Sequence, residues 1–191
     1  MQQIQQSIIS LLSQTVSYRD SYTVQHSGRV ASIATYIGKN LGMNNNDIIG
    51  LRFGSLVHDI GKVAVPLEIL NKVAPLTDIE HNIIKQHPII GHEILSKMQW
   101  DWPVPIVAIQ HHERLNGTIG GGYPYGITND NIIPESKIIA VADIVDSMCF
   151  HRPYRPALVK QDTINFLIQE QGISLDHDYV TIALQWINEN V

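Results

Sequence analysis

The chain has 191 residues, of which 44% are hydrophobic and 16% are charged, with a formal net charge of -5. This composition is that of an ordinary globular protein, and the length predicts a single domain, residues 1–191, with a substantial core. The negative charge gives no electrostatic attraction to DNA, RNA or an anionic membrane, and one cysteine excludes an internal disulfide. No apolar run reaches the ~18 residues of a membrane span, and the first residues lack the basic region of a signal peptide. We therefore expect a cytoplasmic protein.

Helical periodicity runs from one end of the chain to the other. A short helix is predicted near 4–12 from Ile4, Ile8, Leu11 and Leu12, and a second near 22–41 places His26 on its apolar stripe. The next segment has the apolar spacing of the last turns of a helix, with Gly61 as its stop signal. Further helical segments are predicted at 77–86, after 88, up to 111–113, from 138, at 161–171 and at 177–188. Helix follows helix, so the predicted fold is an all-α bundle.

Histidine and aspartate recur at the ends or on the inner faces of these helices. His58 and Asp59 offer an imidazole and a carboxylate side by side, the ligand mixture of metal ions that activate water, and Lys62 can aim an ammonium at a bound anion. Each feature has a local alternative when it is considered alone. His58-Asp59 could be a surface pair, an inward-facing histidine a core residue, and a buried carboxylate part of a salt bridge. The consecutive histidines 111 and 112 point about 100° apart on a helix, so they would contact different ions or lie at the surface.

A glycine-rich loop follows the paired histidines. Five glycines lie between positions 117 and 126, around Gly122-Tyr123-Pro124. Such a loop lets backbone approach a ligand closely, although a flexible connector has the same composition. Farther on, Arg152 and Arg155 are flanked by prolines and suit bidentate phosphate contacts, or structural ion pairs.

Taken in order, seven segments resemble the motifs of HD-GYP domains over about residues 20–185. They are His26-Ser27-Gly28-Arg29-Val30, His58-Asp59-Ile60-Gly61-Lys62, His87-Pro88, His111-His112-Glu113-Arg114, Gly122-Tyr123-Pro124, Asp143-Ile144-Val145-Asp146 and Arg152-Pro153-Tyr154-Arg155. The resemblance implies a helical HD-superfamily bundle with a Gly-rich GYP loop. It also implies a phosphodiesterase that hydrolyses cyclic di-GMP, or a related cyclic dinucleotide, to linear pGpG and in some members to GMP.

The same resemblance implies the roles of individual residues. Asp59 would bridge two divalent ions, Fe or Mn before Zn, Ni or Mg, and Lys62 would contact the bridging water or the phosphate. The nucleotide would be bound by Arg152, Arg155, Tyr123 and Lys62. The implied metal ligands are His26, His58, Asp59, His87, His111, His112 and Asp143. Contacts of the GYP loop with diguanylate cyclase domains, and a homodimer, are further expectations.

Three departures from the HD-GYP pattern bear on activity. Tyr22 stands where three-metal members have a glutamate, so two ions are predicted rather than three. Asn116 occupies a position that is commonly aspartate, and Thr118 to Gly120 lengthen the loop before Gly122-Tyr123-Pro124. These changes leave two alternatives to the enzyme, which are a receptor or adaptor that binds a cyclic dinucleotide without cleaving it, and an HD hydrolase for other nucleotides or phosphomonoesters.

Overall fold

A computed structural model describes residues 2–17, 21–151 and 157–191. Within these ranges the chain forms ten α-helices: α1 (Gln2–Ser17), α2 (Ser21–Asn40), α3 (Asn45–Val57), α4 (Leu67–Leu70), α5 (Asp78–Ile84), α6 (His87–Leu95), α7 (Val104–Gln110), α8 (Pro134–Cys149), α9 (Lys160–Glu170) and α10 (His177–Asn190). Short 3₁₀ turns lie at Ile60–Ala64, Gly117–Gly120 and Asn129–Asn131. The described residues include isolated β-bridges but no strand, which confirms the predicted all-α bundle.

The helices enclose two clusters of buried apolar side chains. The larger cluster is built mainly by α2, α8 and α10, and the smaller one gathers side chains from α1, α3, α6 and α7. Helices α3 and α7 contribute to both clusters, through Leu51 and Val107 to the larger and through Phe53 and Ala108 to the smaller. The chain segments that follow α3 and α7 therefore begin deep in the bundle. None of the described helices is long and apolar enough to cross a bilayer.

The end of α3 differs from the prediction. The helix ends at Val57, and Asp59 precedes the 3₁₀ turn Ile60–Ala64 instead of lying in the helix. Gly61 is therefore not a helix stop. A Cβ atom at Gly61 would lie 2.0 Å from the carbonyl oxygen of His87, so glycine is needed there because this turn approaches the backbone of α6 so closely.

The first helix was predicted correctly, but its buried face was not. Ile4 and Leu11 are 64% and 63% exposed, whereas Ile9 and Gln5 are 2% and 1% exposed. The buried side is thus rotated about one residue from the predicted stripe, and it includes an amide side chain. Farther along, the predicted helix at 77–86 is present as α5, and Thr77 and Glu80 form a capping box at its start.

Candidate metal centre

The predicted ligands converge from five parts of the bundle. His26 comes from α2 and Asp143 from α8, and the others lie at the end of α3, the start of α6 and the end of α7. Their potential ligand atoms form two groups that share one carboxylate, namely His26, His58 and Asp59, and Asp59, His87, His111 and His112. Asp143 joins the first group, since its Oδ1 atom lies 3.3 Å from Nε2 of His26. The structure therefore brings all seven candidate residues together.

Asp59 lies between the two groups and presents one oxygen to each. Its Oδ2 atom is 3.6 Å from Nε2 of His26 and 3.4 Å from Nε2 of His58. Its Oδ1 atom is 3.2 Å from Nε2 of His87 and 3.7 Å from Nε2 of His111. The carboxylate is only 2% exposed, so its charge must be balanced by neighbouring cations or bound metal rather than by water.

Three of the histidines are oriented by main-chain carbonyl groups. The Nδ1 atoms of His58, His87 and His111 lie 2.7 Å, 2.8 Å and 2.8 Å from the carbonyl oxygens of the residues three positions earlier. These acceptors belong to the last turns of α3, α5 and α7, where helical carbonyls have no partner within the helix. Because a carbonyl can only accept, each Nδ1 carries the proton and each Nε2 presents a lone pair to the centre of the site.

The free lone pairs fit a bound cation. Nε2 of His87 and Nε2 of His111 are 3.2 Å apart, and two acceptors at that distance repel unless a positive charge lies beside them. Nε2 of His58 is buried and makes no hydrogen bond within the described part of the chain. The donor set contains imidazole and carboxylate groups, with no thiolate in either group. Such ligands suit Fe, Mn or Zn rather than a structural cysteine-zinc site.

Burial and neighbouring charges set the protonation state of each residue in the site. Burial lowers the pKa of His58 to about 4, and it also lowers the pKa of His111 and, well below its usual value, that of His112. At His26 burial also acts against the charge, but hydrogen bonds to Asp146 and Asp59 outweigh it and raise the pKa to about 9. Burial acts to raise the pKa of Asp59, yet Lys62 and His58 hold that pKa well below its usual value. Without bound metal, the centre thus combines neutral imidazoles at His58, His111 and His112 with a protonated His26 and an ionised Asp59.

Lys62 and Tyr123 lie at the edge of this centre. Nζ of Lys62 is 2.5 Å from Oδ2 of Asp59, and the lysine side chain is 21% exposed. The ring of Tyr123 stacks on His112, with centroids 4.5 Å apart and an angle of 19° between the planes. The backbone N–H of Tyr123 donates to the carbonyl of His112 at 3.2 Å, which fixes the loop against the site. An ammonium and an aromatic ring therefore border the cluster.

The comparisons with known proteins agree with this geometry. A model of the HD domain family matches residues 10–178. This chain belongs to the HD domain family. Its motifs are those of the HD-GYP group within the family, and relatives that match most of the chain are named as cyclic di-GMP and 3'3'-cGAMP phosphodiesterases.

Two relatives and one solved structure illustrate the match. The chain is 32% identical over 179 residues to the cyclic di-GMP phosphodiesterase response regulator RpfG of Xanthomonas campestris pv. campestris, covering 93% of this chain and 47% of the relative. It is 36% identical over 151 residues to the 3'3'-cGAMP-specific phosphodiesterase 3 of Vibrio cholerae, covering 79% of this chain and 32% of the relative. The structure of Bd1817, an HDG"Y"P protein from Bdellovibrio bacteriovorus, superposes with a TM-score of 0.73 at 20% identity, covering 88% of this chain and 53% of that protein. This HD domain therefore spans about half or less of these proteins.

Two residues of the HD domain have structural roles that the sequence reasoning did not assign. Asp146 is completely buried, and its Oδ2 atom accepts a hydrogen bond from Nδ1 of His26 at 2.6 Å. Glu113 is 2% exposed, and its Oε1 atom accepts the N–H of Tyr125 at 2.9 Å, just beyond Tyr123-Pro124. The available signal for both was an acidic residue within an apolar helix or directly after paired histidines, because a buried carboxylate needs a partner.

Some predicted residues lie outside the described part of the chain. They are Arg152, Arg155 and the side chain of Tyr22, so the nucleotide contacts and the argument for two ions rather than three stay predictions. The loop insertion is visible, because Gly117–Gly120 forms a 3₁₀ turn in which Gly117 has a positive φ of 64°. Asn116 places its Oδ1 atom under Gly120, where that oxygen is buried without a hydrogen bond to any described residue.

Proposed function

We propose that this HD domain is a metal-dependent phosphodiesterase that hydrolyses cyclic di-GMP, or a related cyclic dinucleotide, to the linear dinucleotide, which is pGpG for cyclic di-GMP. The observation that carries the proposal is the shared carboxylate of Asp59, each of whose oxygens faces a different pair of histidine nitrogens. Relatives that match most of the chain and are named as cyclic di-GMP and cGAMP phosphodiesterases support it. We propose two ions, with Fe or Mn preferred over Zn, Ni or Mg.

The residues that would hold the ions are His26, His58, Asp59, His87, His111, His112 and Asp143. Two divalent ions in such a site would supply a water nucleophile at neutral pH and neutralise charge on the phosphodiester. Asp59 and Lys62 are the proposed catalytic residues.

The chain's own groups bind and orient the substrate. The Lys62 ammonium, held by Asp59 and partly exposed, can bind a phosphate oxygen with a charge-assisted hydrogen bond. Tyr123 stacks on His112 and is a proposed contact for the nucleotide. Arg152 and Arg155 are the proposed further phosphate contacts.

The test is turnover of defined substrates. Metal-free protein is loaded anaerobically with Fe²⁺ or Mn²⁺ and offered cyclic di-GMP, 3'3'-cGAMP and cyclic di-AMP, and the products are separated by chromatography. We expect a linear dinucleotide from at least one substrate and none from Asp59→Ala. The matched control is Glu93→Gln, which changes an exposed carboxylate on α6 and should turn over like the wild type. If no substrate yields a linear product under either metal, the proposal is wrong.

A cyclic-dinucleotide receptor of the same fold is the second candidate. It is favoured by the buried and unpaired oxygen of Asn116, which offers no hydrogen bond to the ligand cluster from a position that is commonly acidic. A receptor would bind a cyclic dinucleotide in calorimetry and release no linear product. Contacts of the GYP loop with diguanylate cyclase domains, assembly as a homodimer and a cytoplasmic location stay predictions, which pull-down, sedimentation and cell fractionation can test.

A further inference from the structure

His26 is supported differently from the other buried histidines of the centre. His58, His87 and His111 donate their Nδ1 protons to main-chain carbonyls. His26 instead donates to the carboxylate of Asp146, with Nδ1 and Oδ2 2.6 Å apart. An ionised acceptor makes a stronger hydrogen bond than a carbonyl and increases the electron density on the opposite ring nitrogen.

Asp146 is itself held in place by a residue of α2. Arg29 lies one turn after His26, and its Nε and Nη2 atoms donate to Oδ1 and Oδ2 of Asp146 at 2.5 Å and 3.2 Å. The guanidinium carbon lies 4.6 Å from the ring centroid of Phe150, and the Arg29 side chain is 26% exposed. Asp146 is completely buried, so Arg29 and His26 together neutralise a carboxylate that water cannot reach.

This support reaches only one of the two ligand groups. His26 belongs to the group with His58 and Asp59, whereas the second group is formed by Asp59, His87, His111 and His112. In the second group, His87 and His111 are oriented by carbonyls of α5 and α7, which do not depend on Asp146. The two positions for ions should therefore respond differently when Asp146 is changed.

We infer that Asp146, held by Arg29, is a positioning residue that sets the affinity of the ion position at His26, His58 and Asp59 and leaves the other ion position unaffected. The inference rests on the proposed metal binding and adds that the two positions are loaded independently. Loss of a carboxylate that orients a ligating histidine weakens metal binding by about 10- to 100-fold. For Asp146→Asn we expect metal binding to weaken by about 10-fold, because the amide oxygen still accepts the Nδ1 proton. For Asp146→Ala we expect it to weaken by about 100-fold.

The experiment titrates the metal-free protein, residues 1–191, with Mn²⁺ in a calorimeter and records electron paramagnetic resonance spectra of the same samples. The wild type should bind two ions and show the spectrum of a coupled pair. Asp146→Asn should bind one ion with wild-type affinity and the other about tenfold more weakly, with the hyperfine pattern of an isolated Mn²⁺ at concentrations that saturate the wild type. The matched control is Glu135→Gln, which removes a charge from the same helix about 16 Å away and should bind both ions normally.

Several results would overturn the inference. One is that both Asp146 variants bind two Mn²⁺ ions with the wild-type affinities. Another is that Mn²⁺ binding is weakened equally at both positions. A third is that the wild-type chain binds only a single ion. Circular dichroism shows whether each variant is folded. If the Asp146 variants do not fold, Arg29→Gln carries the test, because a partly exposed residue is replaced while the carboxylate remains. Selective weakening of one position supports the inference, and unchanged binding of both ions rejects it.

The outcome is independent of hydrolysis because no nucleotide is present in the titration. A wild-type chain that binds two ions with the selective response, yet cleaves no cyclic dinucleotide, would reject the proposed activity and leave this inference intact.

Discussion

Removal of the Glu113 side chain should release the loop that carries Tyr123. The Glu113 carboxylate accepts the N–H of Tyr125 at 2.9 Å, and the N–H groups of Gly126 and Ile127 also face it. Burial raises the pKa of Glu113 in spite of these donors, so the charge itself adds little to loop closure. We therefore use the lower end of the range for a hydrogen bond to an ionised group, about 1.5 kcal/mol.

A loss of about 1.5 kcal/mol corresponds to a roughly tenfold larger population of the open loop. Hydrogen–deuterium exchange measured by mass spectrometry should then show amides of residues 122–127 exchanging about tenfold faster in Glu113→Ala than in the wild type. The value of kcat/KM should fall by up to the same factor, because Tyr123 no longer stays stacked on His112. Bound metal should remain at the wild-type amount, since Glu113 belongs to neither ligand group.

Glu113→Gln is the matched control, because it fills the same volume and keeps an oxygen that can accept the Tyr125 N–H. Its exchange should be close to that of the wild type. The reasoning is refuted if Glu113→Ala exchanges like the wild type, or if Glu113→Gln is perturbed as strongly as Glu113→Ala.

Four other outcomes are expected. Asp59→Ala should lose bound metal and activity together in elemental analysis and turnover assays, and wild-type metal content would contradict its bridging role. Lys62→Met should lower kcat/KM by about tenfold or more, with both ions retained. Arg152→Ala should raise KM while kcat changes little, and unchanged kinetics would count against a phosphate contact. In chelated protein, the raised pKa of His26, about 9, gives stability that is complete below pH ~6.5 and is lost as the pH rises through 9. The lowered pKa of His58, about 4, makes stability fall as the pH drops from ~6.5 to 4. Urea denaturation across this range should show maximum stability near pH ~6.5.

The ligand cluster was predictable because its residues stand at positions that the helical pattern defines. His26 continues an apolar stripe, so it had to face the core, and His58 and His111 follow apolar helices that end inside the bundle. The order of the motifs then indicated which histidines belong together. His81 has no such placement in the helical pattern, and its side chain is exposed.

Other features depend on tertiary contacts that periodicity does not encode. The buried face of α1 is set by its packing on α2 and α3, and this packing accepts Gln5 inside and leaves Leu11 outside. The need for Gly61 comes from the carbonyl of His87 at the start of α6, 26 residues later in the chain. The sequence indicates that Asp146 is a carboxylate that needs a partner. That the partner is His26, 120 positions earlier in the chain, is evident only from the structure.

Because main-chain carbonyls orient three of the histidines, the site tolerates mutation differently at the residues that support each ligand. Every amino acid contributes a main-chain carbonyl, so replacing Ser55, Ile84 or Ala108 by another helix-compatible residue leaves the acceptor for the neighbouring imidazole in place. A substitution that packs at one of those positions therefore does not by itself change the tautomer of the histidine. Among the four histidines whose Nδ1 contacts are described, only His26 relies on a particular side chain for this hydrogen bond, and a single nucleotide change in the Asp146 codon is enough to remove it. Among these four imidazoles, the support that a side-chain mutation removes directly therefore comes from one acidic residue of α8.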